Sequence, residues 1–213
     1  MNYREIEVES WARRATYEWF KDFDDPFFEM TASLDVDRLF RLCKTEGRSF
    51  YLGSTFWSIH AANQLDEMKT RIRDGKVIVY DKIEAGNTVL HADQSFSFCY
   101  FPYEGDWDMF EQKGQAAIEA EMAQKSFDPR LSQQHVIHYS TIPWIPFTSF
   151  KHARKSVAPG QDTIPKLVFG QAQEINGSWR MPLSVSLHHA LADGYHMGEY
   201  FRLFQQMLHD LNG

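Results

Sequence analysis

Cysteine is scarce in this sequence: the 213 residues include only Cys43 and Cys99, too few for a disulfide framework or a zinc ligand set. No apolar run approaches the ~20 residues that cross a bilayer, and the first residues lack the apolar centre of a secretion signal. Basic residues are outnumbered, with 22 Lys and Arg against 29 Asp and Glu, and the formal net charge is −7. We therefore predict a cytoplasmic protein with no metal site and no nucleic-acid or membrane partner, because nucleic-acid binders usually carry a basic excess.

Aromatic residues, in contrast, are abundant. The 17 Phe, 9 Tyr and 6 Trp supply a large core and exclude disorder as the main state. A chain of this length buries roughly 70% of the surface that its extended form would expose. No repeat, low-complexity stretch or Pro/Gly-rich linker divides it, so we expect residues 1–213 to form a single domain.

Hydrophobic periodicity alternates between helical and extended patterns along the chain. It predicts helices over residues 11–23, 38–45, 55–64 and 107–124, and a final amphipathic helix after residue 194. It predicts strands over residues 28–34, 77–80, 89–101, 135–144, 166–172 and 179–188. This order predicts the α/β (α+β) fold class, with a mixed β-sheet covered by helices.

Turn and cap signals support these boundaries. Asp74-Gly75 and Asn176-Gly177 are typical of hairpin turns, because both positions need a positive φ. We expect Ser10 to cap the first helix and either Asp35 or Asp37 to cap the second.

The most informative segment joins the last strand to the last helix and reads His188-His189-Ala190-Leu191-Ala192-Asp193-Gly194. Histidine is the side chain best matched to proton transfer near neutral pH. Asp193 can orient an imidazole, or it can hold the turn by pairing with a basic residue. The alternative is a strand end with solvated histidines and an aspartate that caps the helix. We favour a functional site, because two histidines and an acid converge where a strand meets a helix.

This segment resembles the HHxxxDG signature of the chloramphenicol acetyltransferase family, within the wider acyltransferases that use coenzyme A or a carrier-bound thioester. Further matches fall in the family's order and spacing at Trp11-Ala12-Arg13-Arg14, Asn63-Gln64, Arg71-Ile72, Asp74-Gly75, Phe96-Ser97 and Ser140-Thr141-Ile142-Pro143-Trp144. The resemblance implies the CoA-dependent acyltransferase fold. It also implies direct transfer of an acetyl group from acetyl-CoA to a hydroxyl of chloramphenicol in a ternary complex, which gives antibiotic resistance.

Four residues form the catalytic machinery that the resemblance implies: His189, Ser140, Asp193 and Arg13. His189 is then the general base for the substrate hydroxyl, and Ser140 donates a hydrogen bond to the developing oxyanion. Asp193 pairs with Arg13 and holds the turn that carries His189. Breaking one side of such a pair, if it is buried, costs roughly 3–5 kcal/mol.

The resemblance also implies how the substrates and subunits are arranged. The acceptor pocket is lined by Trp19, Phe20, Phe28, Phe150, His152 and Val168. Trp144 packs near the pantetheine arm of acetyl-CoA, the co-substrate. The family is a homotrimer whose active sites lie at subunit interfaces, so the histidine of one subunit faces the acceptor pocket of its neighbour.

Several pocket positions depart from the family pattern. Phe20 stands where the family has a tyrosine, His152 where it has a leucine, Val168 a threonine and Ser186 a glutamine. Either the acceptor is a different small molecule with a hydroxyl, or these changes are ordinary variation in a pocket that still takes chloramphenicol. A non-catalytic homologue is a third alternative, against which the retained His189 argues.

Other chemically active side chains have plainer explanations. His188 and His196 have the chemistry for a direct role, but we expect both to be structural. The basic run at 151–155 can attract the phosphates of coenzyme A or can form a solvated loop. We favour the solvated loop, which is common in acidic proteins of mixed charge.

Overall fold

The computed structural model describes residues 1–130, 132–154 and 162–211. The strands are β1 (Tyr3–Glu5), β2 (Phe27–Asp35), β3 (Thr70–Arg73), β4 (Lys76–Tyr80), β5 (Glu84–Leu90), β6 (Phe96–Phe101), β7 (Val136–Thr141), β8 (Lys166–Phe169), β9 (Gln173–Ile175) and β10 (Ser178–His188). The helices are α1 (Arg14–Phe20), α2 (Asp37–Glu46), α3 (Phe50–Asn63), α4 (Asp66–Lys69), α5 (Trp107–Gln124) and α6 (Gly194–Asp210). A short 3-10 turn, Val8–Ser10, precedes α1.

These strands form a small sheet and a large one. The small sheet has the order β1-β4-β3 and is antiparallel. The large sheet has seven strands, in the order β2-β10-β8-β7-β5-β6, with β9 paired to β10. Within it, β7 runs parallel to β5 and β8, and the other pairs are antiparallel. The predicted mixed sheet is confirmed.

The long strand β10 separates two environments, because successive side chains point to opposite faces of a sheet. Leu183 and Val185 are buried in the main hydrophobic core together with side chains of α3 and α6, so helices cover this face. Ser184, Ser186 and His188 point the other way. We call the face that carries these three residues the polar face.

Both predicted hairpin turns are present. Asp74 and Gly75 have φ values of 52° and 76° and join β3 to β4, while Asn176 and Gly177 have 53° and 82° and join β9 to β10. Two consecutive positive φ angles give the type of turn that matches the twist of paired strands. Local sequence therefore determined these two connections.

The first predicted helix was too long and its cap was wrong. The chain closes a 3-10 turn instead, in which the N–H of Trp11 donates to the carbonyl of Val8 at 3.1 Å. The hydroxyl of Ser10 donates back to the carbonyl of Glu7 at 3.3 Å and caps nothing. The helix proper begins only at Arg14.

The third predicted helix begins earlier than expected, at Phe50. Ser49 caps it, and its hydroxyl accepts the N–H of Leu52 at 3.2 Å. This helix is apolar on all sides and largely buried, so no periodic stripe marked its first turn. At α2 the predicted cap is wrong, because Val36 is the N-cap residue and no side chain caps the helix. The carboxylate of Asp35 nevertheless accepts the N–H of Asp37 at 3.1 Å, which satisfies one of the free donors of the first turn.

Neither cysteine is exposed: Cys43 and Cys99 are free, buried thiols, and burial raises the pKa of each to about 11. Among the described residues, no helix is both long and apolar enough to cross a membrane. Over the same ranges, His, Cys, Asp and Glu side chains form no group of three or more that could hold a metal ion.

Three histidines are kept neutral by the fold. Burial, together with the nearby charge of Lys166, lowers the pKa of His138, His152 and His188 to about 4. A histidine in the unfolded chain has a pKa of about 6.5. Because the unfolded chain then binds more protons than the folded one between about pH 6.5 and 4, stability is full above this window and decreases as the pH falls through it.

We therefore expect the free energy of unfolding, measured by urea denaturation, to decrease from pH 7 to pH 5. A His138→Gln variant should show a shallower decrease, since it removes one of the groups that takes up a proton on unfolding. The matched control is His209→Gln, because His209 is exposed on α6. Equal pH dependence in the two variants would contradict the assignment of His138 as a buried neutral group.

Candidate active site

His189 lies one residue beyond the end of β10, where the chain turns toward α6. Its N–H donates to the carbonyl of Pro26 at 2.7 Å, which ties this turn to the start of β2. Its ring is stacked on Phe20, with centroids 4.0 Å apart and planes within 5°, and its centroid is 4.7 Å from that of Phe28. Two aromatic rings thus restrict how the imidazole can rotate.

The acid of the motif is engaged by Arg13. Nη1 of Arg13 lies 2.5 Å from Oδ2 of Asp193, and Nη2 donates to the carbonyl of His189 at 3.4 Å. The ion pair expected from the resemblance is present. The side chains are 13% and 34% exposed, so the pair is only partly buried. The cost of breaking it is therefore below the 3–5 kcal/mol of a fully buried pair.

Asp193 is also the N-cap of α6. Its Oδ1 accepts the N–H of Tyr195 at 3.0 Å, and Nδ1 of His196 accepts the N–H of Asp193 at 3.2 Å. Burial acts to raise the pKa of Asp193, but the hydrogen bond from Arg13 and the charge of Arg13 help to hold the pKa below its usual value. One ionised carboxylate therefore fixes the start of α6 and the turn before it.

His188 has the contacts of a structural residue. It is 2% exposed, its Nδ1 accepts the N–H of Ala190 at 3.3 Å, and its ring meets the edge of Phe27 at 5.3 Å. Its side chain is directed to the polar face, whereas His189 packs against Phe20 and Phe28. The two adjacent histidines thus occupy different environments.

Ser140 belongs to a second group of expected site residues. It pairs with Val168 on β8, which pairs in turn with Ser184 on β10, so all three side chains point to the polar face. The Ser184 hydroxyl donates to the carbonyl of Phe150 at 3.1 Å, and the ring of Phe150 lies 5.0 Å from that of His152. Ser140, Val168, Phe150 and His152 therefore share one surface.

Within a single chain, Ser140 and His189 lie far apart. Ser184, which is level with Ser140, lies five residues before His189 and two strands away from β7. At about 3.4 Å per residue and 4.8 Å per strand, the two backbones are about 20 Å apart. The structure thus gathers the expected residues into a His189 group and a Ser140 group without joining them.

Two expected contacts lie outside both groups. Trp19 is 70% exposed and contacts Phe23 at 6.4 Å between ring centroids, and Trp144 is 63% exposed. In the part of the chain that the structure describes, neither ring packs against His189 or Ser140. Both tryptophans are surface residues of a single chain.

A cavity of about 260 Å³ lies beside the end of β7, on the helix-covered side of the sheet. Its walls are mostly apolar and include Tyr51 and Phe169. The hydroxyls of Ser54 and Thr141 also line it, buried and without a hydrogen-bond partner among the described residues. An ordered water or a polar group of a ligand can satisfy such hydroxyls. Because Thr141 follows Ser140 directly in β7, their side chains point to opposite faces of the sheet, and the cavity lies on the other side of β7 from the Ser140 hydroxyl.

Sequence reasoning missed the residues of this cavity, because they come from separate elements and belong to no motif. It was also wrong about the basic run at 151–155. Lys151 is exposed, but the side chain of Arg154 is only 13% exposed and its Nη2 lies 3.0 Å from a carboxylate oxygen of Glu29. The carboxylate comes from β2, distant in sequence. Lys155 lies outside the described residues.

Comparison with known proteins places these features in a family. A family model described as Chloramphenicol acetyltransferase matches residues 1–205. Chloramphenicol acetyltransferase 3 of Escherichia coli is 28% identical over 210 residues, covering 97% of each chain. The chloramphenicol acetyltransferase of Campylobacter coli is 27% identical over 213 residues, covering 98% of this chain and 99% of that protein.

Solved structures agree. A chloramphenicol acetyltransferase matches with a TM-score of 0.82 and 26% identity, over 97% of this chain and 100% of that chain. The dihydrolipoamide acetyltransferase of Azotobacter vinelandii shares the fold, with a TM-score of 0.67 and 14% identity over 92% of this chain and 86% of that one. Fold and site together define an acyltransferase. More particularly, since the family model spans almost the whole chain, the protein belongs to the chloramphenicol acetyltransferase family.

The ion pair beside His189 gives a stability prediction. Arg13→Ala should lower the free energy of unfolding by about 1–3 kcal/mol, because it removes charge-assisted hydrogen bonds to Asp193 and to the carbonyl of His189. The adjacent Arg14→Ala is the matched control: Arg14 is 52% exposed and pairs with the exposed Glu9, so the change should stay within about 0.5 kcal/mol. Urea denaturation at pH 7 measures both. An equal loss in the two variants would contradict a special role for Arg13.

Proposed function

We propose that this protein transfers an acetyl group from acetyl-CoA to a hydroxyl of chloramphenicol and so inactivates the antibiotic. The observation that carries the proposal is the position of His189 at the end of β10, packed against Phe20 and Phe28, while Arg13 holds the neighbouring Asp193. Membership of the family and the names of the relatives support the same activity.

In this proposal His189 is the general base. Its Nδ1 is buried with no hydrogen-bond partner among the described residues, which leaves Nε2 as the nitrogen open to a substrate. That nitrogen takes the proton of the acceptor hydroxyl as the oxygen bonds to the acetyl carbon. The carbon–sulfur bond then breaks, and the thiolate of coenzyme A recovers the proton from the imidazolium.

Ser140 stabilises the charge that forms during this step. Its hydroxyl lies on the polar face at the end of β7, and it donates to the carbonyl oxygen of the acetyl group as that oxygen becomes negative. Asp193 and Arg13 do not touch substrate in this scheme. They are positioning residues, which hold the turn after β10 so that His189 keeps one orientation.

A second copy of the chain completes the site. Because one chain separates Ser140 from His189 by about 20 Å, they can act on one substrate only if they come from different subunits. We assign the assembly as a homotrimer, on the resemblance to the family, with three sites at its subunit interfaces.

The donor occupies the cavity beside β7. Its mostly apolar walls fit the pantetheine arm of acetyl-CoA, and the hydroxyls of Ser54 and Thr141, which have no hydrogen-bond partner among the described residues, fit the amides of this arm. Trp144 follows in the same loop and is exposed, in keeping with a contact along this arm. Use of acetyl-CoA also favours a cytoplasmic location.

The acceptor is bound from both sides of the subunit interface. Phe20 and Phe28 accompany His189, with Trp19 at the surface beside them. Phe150, His152 and Val168 accompany Ser140 on the polar face. This division assigns the expected acceptor residues other than Trp19 to one of the two subunits that meet at a site.

Release of free thiol from acetyl-CoA, with purified protein and chloramphenicol, tests the activity. His189→Ala should abolish it, and Ser140→Ala should lower turnover by about 10²–10³ because one oxyanion donor is lost. His209→Ala, on the exposed side of α6, is the control and should keep full activity. Thiol release that persists in His189→Ala would refute the base assignment, and no release with the unmodified protein would refute chloramphenicol as acceptor.

The shared site can be tested by mixing two inactive variants. Co-expression of His189→Ala with Ser140→Ala should restore activity, because some interfaces then pair an intact His189 with an intact Ser140. If the two variants are present in equal amounts and assemble at random, half of the sites have an intact His189 and half of those also have an intact Ser140. About a quarter of the sites are then intact. His189→Ala co-expressed with the double variant is the control and should stay inactive. Mixed assemblies no more active than Ser140→Ala alone would place both residues in one chain.

A further inference from the structure

A row of polar side chains crosses the polar face, two residues along the strands from the position of Ser140. The strand register sets His138 on β7 beside Lys166 on β8, then Ser186 on β10, then Glu29 on β2. Paired residues of neighbouring strands point to the same face, so all four side chains lie on one surface.

Arg154 lies over this row. Its Nη2 donates to the carboxylate of Glu29 at 3.0 Å and to the hydroxyl of Ser186, and its guanidinium sits 3.5 Å over the ring of Phe27. The side chain is 13% exposed. Its Nη1 is buried and has no hydrogen-bond partner among the described residues. A buried donor of this kind costs free energy unless a ligand or another chain accepts from it.

His152 presents a second buried group without a partner. Its Nε2 makes no hydrogen bond within the described part of the chain, and its ring packs against the edge of Phe150. Burial and the charges of Lys166 and Arg154 lower its pKa to about 4, so the ring is neutral at pH 7. It can therefore take part in a hydrogen bond without adding charge.

The charges around these two groups are already balanced. Arg154 faces Glu29, and its Nε is 3.6 Å from Asp25. Lys166 lies 2.7 Å from Asp162. An anionic ligand group would disturb this balance, whereas an uncharged oxygen can accept from Nη1 without doing so. The row therefore suits a neutral, oxygen-bearing group.

The distance to Ser140 fits the far end of an acceptor. Ser186 lies two residues and two strands from the Ser140 position, which is about 12 Å between backbones. An acceptor whose hydroxyl reacts beside Ser140 therefore reaches Arg154 and His152 with its opposite end when it extends along the polar face toward β2.

We propose that Arg154 and His152 are specificity-determining residues, which hydrogen-bond an uncharged, oxygen-bearing group at the end of the acceptor opposite to the reacting hydroxyl. This inference rests on the proposed function, since it concerns the acceptor of the same site. The nitro group of chloramphenicol is of this chemical class.

The test compares chloramphenicol with its analogues that carry hydrogen or carboxylate in place of the nitro group. For each, kcat/KM from thiol release and Kd from calorimetry are measured on the unmodified protein, Arg154→Leu and His152→Leu. The unmodified protein should prefer nitro over hydrogen by at least about tenfold, and should also prefer it over carboxylate. Arg154→Leu should reduce the nitro-to-hydrogen ratio toward one, and His152→Leu should reduce it in part. Because each ratio is internal to one variant, a partly unfolded preparation does not change it.

Lys151→Gln is the matched control. Lys151 is in the same segment but 69% exposed, so its substitution should leave the ratio unchanged. An unchanged ratio in both Arg154→Leu and His152→Leu, with thiol still released, would overturn the inference and leave the proposed function standing. If analogues bind but no thiol is released, the proposed function fails and the Kd ratio alone decides the inference. Absence of binding by every analogue would overturn both.

Discussion

The register of β10 between β2 and β8 is the constraint on which the rest of the structure depends. Because its side chains alternate, the strand gives Leu183 and Val185 to the core and Ser184 and Ser186 to the polar face. A slip of one residue would exchange the two sets, and the burial of the apolar set forbids this. The same register fixes where the strand ends and therefore where His189 emerges.

Electrostatic contacts, in addition to apolar packing, hold the turn after β10. Arg13 reaches the carboxylate of Asp193 and the carbonyl of His189, so one side chain from the start of α1 fixes both ends of the turn. Asp193 also caps α6, which couples the position of that helix to the same ion pair. A turn tied at several points holds the side chain of His189 in one orientation.

The two faces of the large sheet carry different kinds of side chain. Helices close one face and form the core, while the other carries buried charges such as Arg154 and Glu29 that are paired across distant segments. Removing a charge from water is costly unless a partner is provided, and each of these charges has one. On the same face, Ser140 lies far from His189 within one chain.

The sequence predicted an element well where the signal for it lies within a few neighbouring residues. Asp74-Gly75 and Asn176-Gly177 formed their hairpins, and the helix over 107–124 has the predicted bounds. The start of α3 escaped prediction, because a buried helix that is apolar on all sides has no stripe to read. The prediction that Ser10 caps the first helix was wrong, because its hydroxyl donates within a 3-10 turn instead.

By itself, the sequence determined the fold class, the family and the chemical identity of the motif around His189, because these depend on side-chain type and order along the chain. Only the tertiary structure decided that Asp193 both pairs with Arg13 and caps α6. It also decided that Arg154 is buried against Glu29, and that Ser140 and His189 lie far apart in one chain. The physical reason is that these properties depend on how distant segments are brought together: Arg13 and Asp193 are 180 residues apart, Arg154 and Glu29 are 125 apart, and strand register sets the separation of Ser140 from His189. Strand register and burial set such contacts, and no local pattern carries them.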